Sequence, residues 1–329
     1  MKITNKDVIQ SYLLTSAKYD YSVYEKRILY RLVQICQPQI QGQKLDSRFK
    51  INKDLFNGYW VKLPISSFLK DEDDKNHSLV KKALRDLREK VFEYEDDKRW
   101  ELISIIESPA IEKYSDFVEF RVHPKIYDAI LDFSKGFRKY ELKTAMSFES
   151  TYAMRFYELF SEKKSPITYS IEKLKIMFKI KEKYKQVNDF FRYVIEPAKR
   201  ELDKSSPYSF EYSPVKEGRK IVAIKFYPVY IPENRDSEVE EQHLKSQISP
   251  SWDLDAMVIN YLKQNYYFDT KEIRHNLELF KHAQEREQTG EFDLIIFLSQ
   301  MRRKCADKAN PKGYLINALK KELNYTPKT

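Results

Sequence analysis

The chain has 329 residues, 42% hydrophobic and 33% charged, with only six Gly and a formal net charge of +9. That length leaves room for two or three domains with sizeable cores. The composition excludes a disordered, collagen-like or disulfide-stapled chain. The positive balance favours a polyanionic partner, nucleic acid before an anionic membrane surface.

Cys36 and Cys305 stand far apart, with no CxxC or Cys/His cluster. Neither a zinc site nor a disulfide framework is indicated, and two free thiols fit a reducing compartment. The opening "MKITNKDVIQSYLL" has no apolar core of signal-peptide length. No run of ~18 apolar residues occurs, so no membrane contact is expected and the expected location is cytoplasmic.

In chain order, Ser22 and Glu25 form a capping-box signature before a helix expected over 23–36, with Tyr24, Ile28, Leu29, Leu32 and Val33 on one face. Residues 38–57 are polar and broken by Gly42, which reads as a loop. "YWVKLPISSFLKD" reads as a strand and then a short helix from near Pro64. "HSLVKKALRDLREK" is a helix with Leu79, Val80, Ala83, Leu84 and Leu87 inward and Lys81, Lys82, Arg85 and Arg88 outward. "VFEYEDDKRWELISII" is a hairpin around a turn at Asp96 to Arg99, and "FVEFRVHP" is a further strand. Helix, strand, short helix, second helix and hairpin is the element order of a winged helix-turn-helix.

The order recurs about 100 residues later, as a duplicated module would show. "SFESTYAMRFYELFSEKK" (147–164) is a helix with Tyr152, Phe156, Leu159 and Phe160 inward. "ITYSIEKLKIMFKI" is a strand and short helix, and "YKQVNDFFRYVIEPAKRELDK" is the second helix. "YSFEYSPVKEGRKIVAIKFYPVYI" is a hairpin turning at "PVKEGRK". Residues 232–250 are polar and acidic, a linker by composition. Beyond it come short helices, one capped by Asp269 with Glu272 and the last by Asn310 with Pro311.

Enzyme chemistry lacks its parts. There is no GxxxxGK[ST], which argues against P-loop ATP hydrolysis. Some of the 24 tyrosines have the chemistry of a DNA-nicking nucleophile, but the His-x-His pair that such enzymes use for their metal is missing. His275 and His282 with Glu278 between them read better as an ordinary polar helix face than as a metal site. Acidic pairs such as Asp73/Asp74 and Asp96/Asp97 fall in turns. No cofactor or metal is expected.

The second helix of the second module carries the strongest functional signal. Val187, Phe190, Phe191, Val194, Ile195, Ala198 and Leu202 fall on one face, although Pro197 interrupts the pattern. The opposite face holds Asn188, Asp189, Arg192, Lys199 and Arg200, with Lys185 just before it. From Lys173 to Lys204 basic side chains outnumber acidic ones. Basic side chains neutralise phosphates, Asn pairs bidentately with adenine, and Arg pairs bidentately with guanine. Lys216, Arg219 and Lys220 in the hairpin turn add a basic wing. Pro197 is expected to end or bend the helix after its reading turns.

"SFESTYAMRFYELF", "SIEKLKIMFKI", "VIEPAKRELDK" and "GRKIVAIKF" resemble the second winged helix of iteron-type plasmid replication initiators, the RepB-type initiator superfamily. "YSVYEKRILYRLVQI" and "LVKKALRDLREKVFE" resemble its first module, so the resemblance covers about residues 5–230. It implies an α+β, mainly helical fold with two tandem winged helices related by a pseudo-twofold. It implies binding to double-stranded DNA at direct repeats of a plasmid origin. It further implies self-association as a dimer through the first module with repression of the chain's own promoter, and recruitment of a host replication initiator and helicase. It implies no nucleotide or metal cofactor. Carried onto this sequence, Ser150, Thr151 and Arg155 become candidates for phosphate contact.

The expected division is 1–135 for the first winged helix, 136–231 for the second, 232–250 for the linker, and 251–329 for a C-terminal helical module on a flexible tether. The family core does not require that last part. Protein contact or self-association is expected of it, with "MRRKCADKANPKG" as a further basic stretch. The competing readings are a winged-helix transcriptional repressor, a rolling-circle nicking enzyme, and a protein-interaction module with incidental basic charge.

Overall fold

The computed structural model describes residues 6–11, 14–15, 19–37, 46–71, 73–95, 100–134, 136–241, 254–288 and 292–325, with backbone only for 92–95 and 288. The hairpin turn expected at Asp96 to Arg99 lies outside the described residues, as do 38–45 of the expected loop and 242–250 of the expected linker.

The first module begins with α1 (Val23–Cys36), closed by the expected capping box: Ser22 Oγ accepts from the Glu25 N–H, and the Glu25 carboxylate accepts from the Ser22 N–H. Strands β2 (Lys50–Lys53) and β3 (Tyr59–Pro64) follow, then a 3₁₀ turn (Ile65–Phe68) and α2 (His77–Glu89). A separate hairpin pairs β4 (Val91–Glu95) with β5 (Trp100–Ser104). Strands β6 (Glu107–Ile111) and β7 (Phe117–Val122) complete an antiparallel sheet of order β2-β3-β7-β6, and α3 (Pro124–Ile130) follows.

Two expectations fail here. Residues 50–53 are a strand, not part of a loop. Their sequence, Lys-Ile-Asn-Lys, forms an edge strand with only Ile51 half-buried, so no apolar alternation announced it. Leu79 is 43% exposed, while Val80, Ala83, Leu84 and Leu87 are buried as expected. Leu79 lies in the first turn of α2, where the inward stripe is already filled by Val80.

The second module opens with β8 (Phe137–Glu141), which pairs antiparallel with the N-terminal β1 (Asp7–Ser11). Helices α4 (Leu142–Ser147) and α5 (Thr151–Phe160) precede β9 (Ile167–Ser170) and α6 (Ile171–Met177). The long helix α7 follows over Val187–Phe190, Phe191–Ile195 and Glu196–Ser205. Strands β10 (Tyr208–Glu217) and β11 (Lys220–Tyr230) form a hairpin in a sheet of order β10-β11-β9. The strands pair up to Glu217 opposite Lys220, so the turn is the two residues Gly218 and Arg219 rather than the longer "PVKEGRK". Gly218 sits at φ +61°, the left-handed region that such a tight turn requires. The core centres on Phe156, Phe160, Phe210 and Phe226, all with at most 1% of their surface exposed.

Helix α1 is buried on its polar side as well. Glu25, Lys26, Arg27 and Arg31 are at most 3% exposed. Lys26 forms an ion pair with Glu158 of α5, and Tyr19 Oη donates to the same carboxylate at 3.1 Å. The Arg27 guanidinium donates to the Met146 carbonyl at 3.0 Å and pairs with Asp74 at 3.3 Å. The two modules thus meet across buried charges that must be paired to be tolerated.

The C-terminal helices are α8 (Ala256–Asn265), α9 (Thr270–His275), α10 (Leu277–Gln288), α11 (Leu294–Cys305) and α12 (Pro311–Glu322). The Asp269/Glu272 capping box and the Asn310 cap form as expected. This module is docked on the rest of the chain. Its core includes Ile9 and Phe133. The Phe133 N–H donates to Ser299 Oγ at 3.1 Å, Gln300 donates to the Ser134 carbonyl at 3.0 Å, and Arg303 pairs with Asp132 at 3.2 Å. The early part of the expected linker is also anchored, since Arg235 pairs with Asp7 at 3.2 Å and Glu141 at 3.0 Å.

Candidate nucleic-acid interface

Helix α7 packs its apolar side inward as its spacing predicts. Phe190, Val194, Ile195, Ala198 and Leu202 are fully buried, and Val187 and Phe191 are partly so. Pro197 neither ends nor breaks it. The turn over Phe191–Ile195 is π-helical, and the Glu196 N–H reaches back five residues to the Phe191 carbonyl. An i→i+5 turn passes over the donor that proline lacks and widens the helix where its ring would crowd the Tyr193 carbonyl. The helix therefore continues to Ser205.

The turn between α6 and α7 is built from two left-handed residues, Lys179 (φ 51°) and Tyr184 (φ 53°). Lys175 Nζ donates to the Tyr184 carbonyl at 2.6 Å and ties that turn to α6. The geometry fixes where α7 starts.

The outward side of α7 is more basic than its sequence suggests. Glu196 accepts from the Tyr212 hydroxyl. Burial first, and this bond second, raise the Tyr212 pKa. Glu201 accepts from the N–H groups of Glu149 at 2.5 Å and Ser150 at 3.2 Å. Asp203 accepts from the Ser209 hydroxyl. Glu196 and Glu201 are half-buried against their own module, while Asp203 is exposed but engaged by its neighbours. Asn188, Arg192, Arg200, Lys204 and Lys185 remain exposed, with Asp189 half-buried among them.

Lys199 differs from the expectation. Its ammonium pairs with Asp203 at 2.7 Å and Glu211 of β10 at 2.8 Å, and its side chain is 18% exposed. Burial opposes its charge, but the two carboxylates outweigh burial and raise its pKa. Lys199 thus holds α7 to β10, and its charge is already balanced within the module. Arg155 is also corrected as a phosphate contact. It is 3% exposed, its guanidinium lies 3.8 Å from the Tyr19 ring centroid, and it donates to the Met177 carbonyl at 3.3 Å. Ser150 Oγ caps α5, accepting from the N–H groups of Tyr152 and Ala153. Thr151 lines a small cavity of about 30 Å³ with Tyr19, Lys26, Tyr152 and Arg155.

In the wing, Lys216, Arg219 and Lys220 are exposed around Gly218, with Glu217 beside them. On α2, Lys81, Arg85 and Arg88 are exposed, while Lys82 pairs with Asp86 at 2.5 Å. Sequence reasoning missed Tyr193. It is 49% exposed on the outward side of α7, with the Arg192 guanidinium 5.3 Å from its ring centroid. An aromatic on the polar side of the helix, inside the widened turn, falls outside the apolar periodicity and gave no signal. Among the described residues, no group of three or more His, Cys, Asp or Glu is arranged to hold a metal. Among them too, no helix is long and apolar enough to cross a membrane.

A helix-turn-helix followed by a β-hairpin, present twice, defines a protein of two winged helices. The model for the initiator replication protein WH1 domain matches residues 7–161, and that for the initiator Rep protein WH2 domain matches residues 170–228. Together they span most of the chain, and the chain belongs to this family of initiator replication proteins. The helices from Ala256 onward lie beyond both matches. The fold is similar to that in the crystal structure of Pi initiator protein in complex with iteron DNA. The likeness has a TM-score of 0.52 at 18% identity and covers 69% of this chain and 98% of that one. No curated protein matches the chain.

Proposed function

We propose that the chain starts plasmid replication by binding direct repeats at the origin, with α7 as the reading helix of the second module. The observation that carries this is the outward face of α7. Asn188, Arg192, Arg200 and Lys204 are exposed, while Glu196 and Glu201 are half-buried against Tyr212 and the Glu149 and Ser150 backbone, and the exposed Asp203 is engaged by Ser209 and Lys199. A major groove admits such a helix, with Asn188 and Arg192 suited to base edges and Arg200 and Lys204 to phosphates. The wing residues Lys216, Arg219 and Lys220 meet the flanking backbone, and Lys81, Arg85 and Arg88 of α2 supply a second basic contact. The Pi protein, captured with iteron DNA, shares this fold.

The chain also self-associates as a dimer, through its first module, and in that form represses its own promoter. Support for the dimer comes from the β4–β5 hairpin, where Val91, Trp100 and Leu102 are 52%, 55% and 53% exposed, a patch that a second copy would cover. The origin-bound chain recruits a host replication initiator and helicase, acts by binding alone, and works in the cytoplasm.

The test is a titration of the purified chain against DNA flanking its own gene, with scrambled competitor, at two salt concentrations. Competitor-resistant binding in a regular ladder of complexes is expected, weakening as salt rises. Equal weak binding to both DNAs would refute the proposal.

A further inference from the structure

We propose that Tyr193 is a specificity-determining residue that packs on the 5-methyl group of a thymine beside the base read by Arg192. This rests on the reading of α7 as a base-contacting helix. Single exposed aromatics are common on protein surfaces and need no explanation. Tyr193 differs in how firmly it is held. The Arg192 guanidinium lies over its ring at 5.3 Å, and the Tyr184 ring stacks with it at 6.0 Å and 25°. Tyr184 is itself fixed by its left-handed backbone, by the Lys175 bond to its carbonyl, and by its hydroxyl 3.5 Å from that of Tyr152. A rigid ring loses little rotamer entropy on contact with DNA.

Arg192 and Tyr193 sit side by side on the outward face. Over Phe191–Ile195, Arg192 and Tyr193 are both exposed while Val194 and Ile195 are both buried. The exposed Arg192 guanidinium, held near the ring, is suited to the bidentate pairing that guanine offers. The neighbouring ring presents an apolar edge at the same level. In the major groove, the 5-methyl of thymine is the one apolar group among the base edges. The pair thus reads a guanine and an adjacent thymine.

In the test, each thymine of a direct-repeat duplex from the DNA flanking the gene is replaced in turn by deoxyuridine, and the full chain is titrated against each duplex. One replacement is expected to weaken binding about fourfold, the effect of removing one buried methyl group. Tyr193→Ala should abolish that difference, and Tyr193→Phe should keep it. If no deoxyuridine weakens binding, or if Tyr193→Ala keeps the wild-type pattern, the assignment is overturned. Equal binding to the repeat and to a scrambled duplex would instead overturn the reading of α7 itself, and this inference with it.

Discussion

Lys26→Met is expected to destabilise the folded chain by about 3–5 kcal/mol, because it strands a buried carboxylate. Glu158 is fully buried on α5, and Lys26 is 2% exposed on α1. Lys26 Nζ also donates to Tyr19 Oη at 2.9 Å, so the variant leaves Glu158 with the neutral Tyr19 hydroxyl in place of a cation. Burial lowers the Lys26 pKa and Glu158 opposes that shift, as expected of an ion that persists only because its partner is there. The double variant Lys26→Met/Glu158→Leu should recover most of the loss, since it removes both charges together. Urea unfolding of the three chains measures this. A single variant as stable as the wild type would mean that the modules are not joined through this pair.

Phe156→Ala is expected to cost about 3–5 kcal/mol through the cavity it leaves. The Phe156 ring is fully buried, with the Phe210, Phe178 and Phe226 rings at 5.1, 5.3 and 5.7 Å. Phe210 and Phe226 belong to the two wing strands, and Phe178 follows α6. One side chain therefore packs the wing and the helix-turn-helix onto α5. Chemical unfolding should show the loss as a lower midpoint with an unchanged slope. An unchanged midpoint would place the centre of the core elsewhere.

The repeated element order was legible because each module's helices carry a clear apolar stripe and each hairpin alternates. The caps at Ser22, Asp269 and Asn310 were legible because a side chain three residues or fewer from the first free N–H groups has few other uses. What stayed hidden depends on partners distant in sequence. The stripe on α1 marks its apolar face, but nothing local says that Lys26 and Arg27 are covered by the second module. The same blindness made Arg155 look available and hid the pairing of Lys199 with Glu211. A mostly charged edge such as β2 has no periodic signature. Pro197 was visible as a disturbance, but only the backbone shows that a π-turn absorbs it.

The most direct test of α7 as the reading helix compares the wild-type chain with Arg192→Ala on the repeat, on its single-base variants and on scrambled DNA. Arg192→Ala is expected to lose about 1–3 kcal/mol on the repeat, to flatten the preference at one base pair, and to change little on scrambled DNA. An equal loss on all three DNAs, or none on the repeat, would contradict this role of α7.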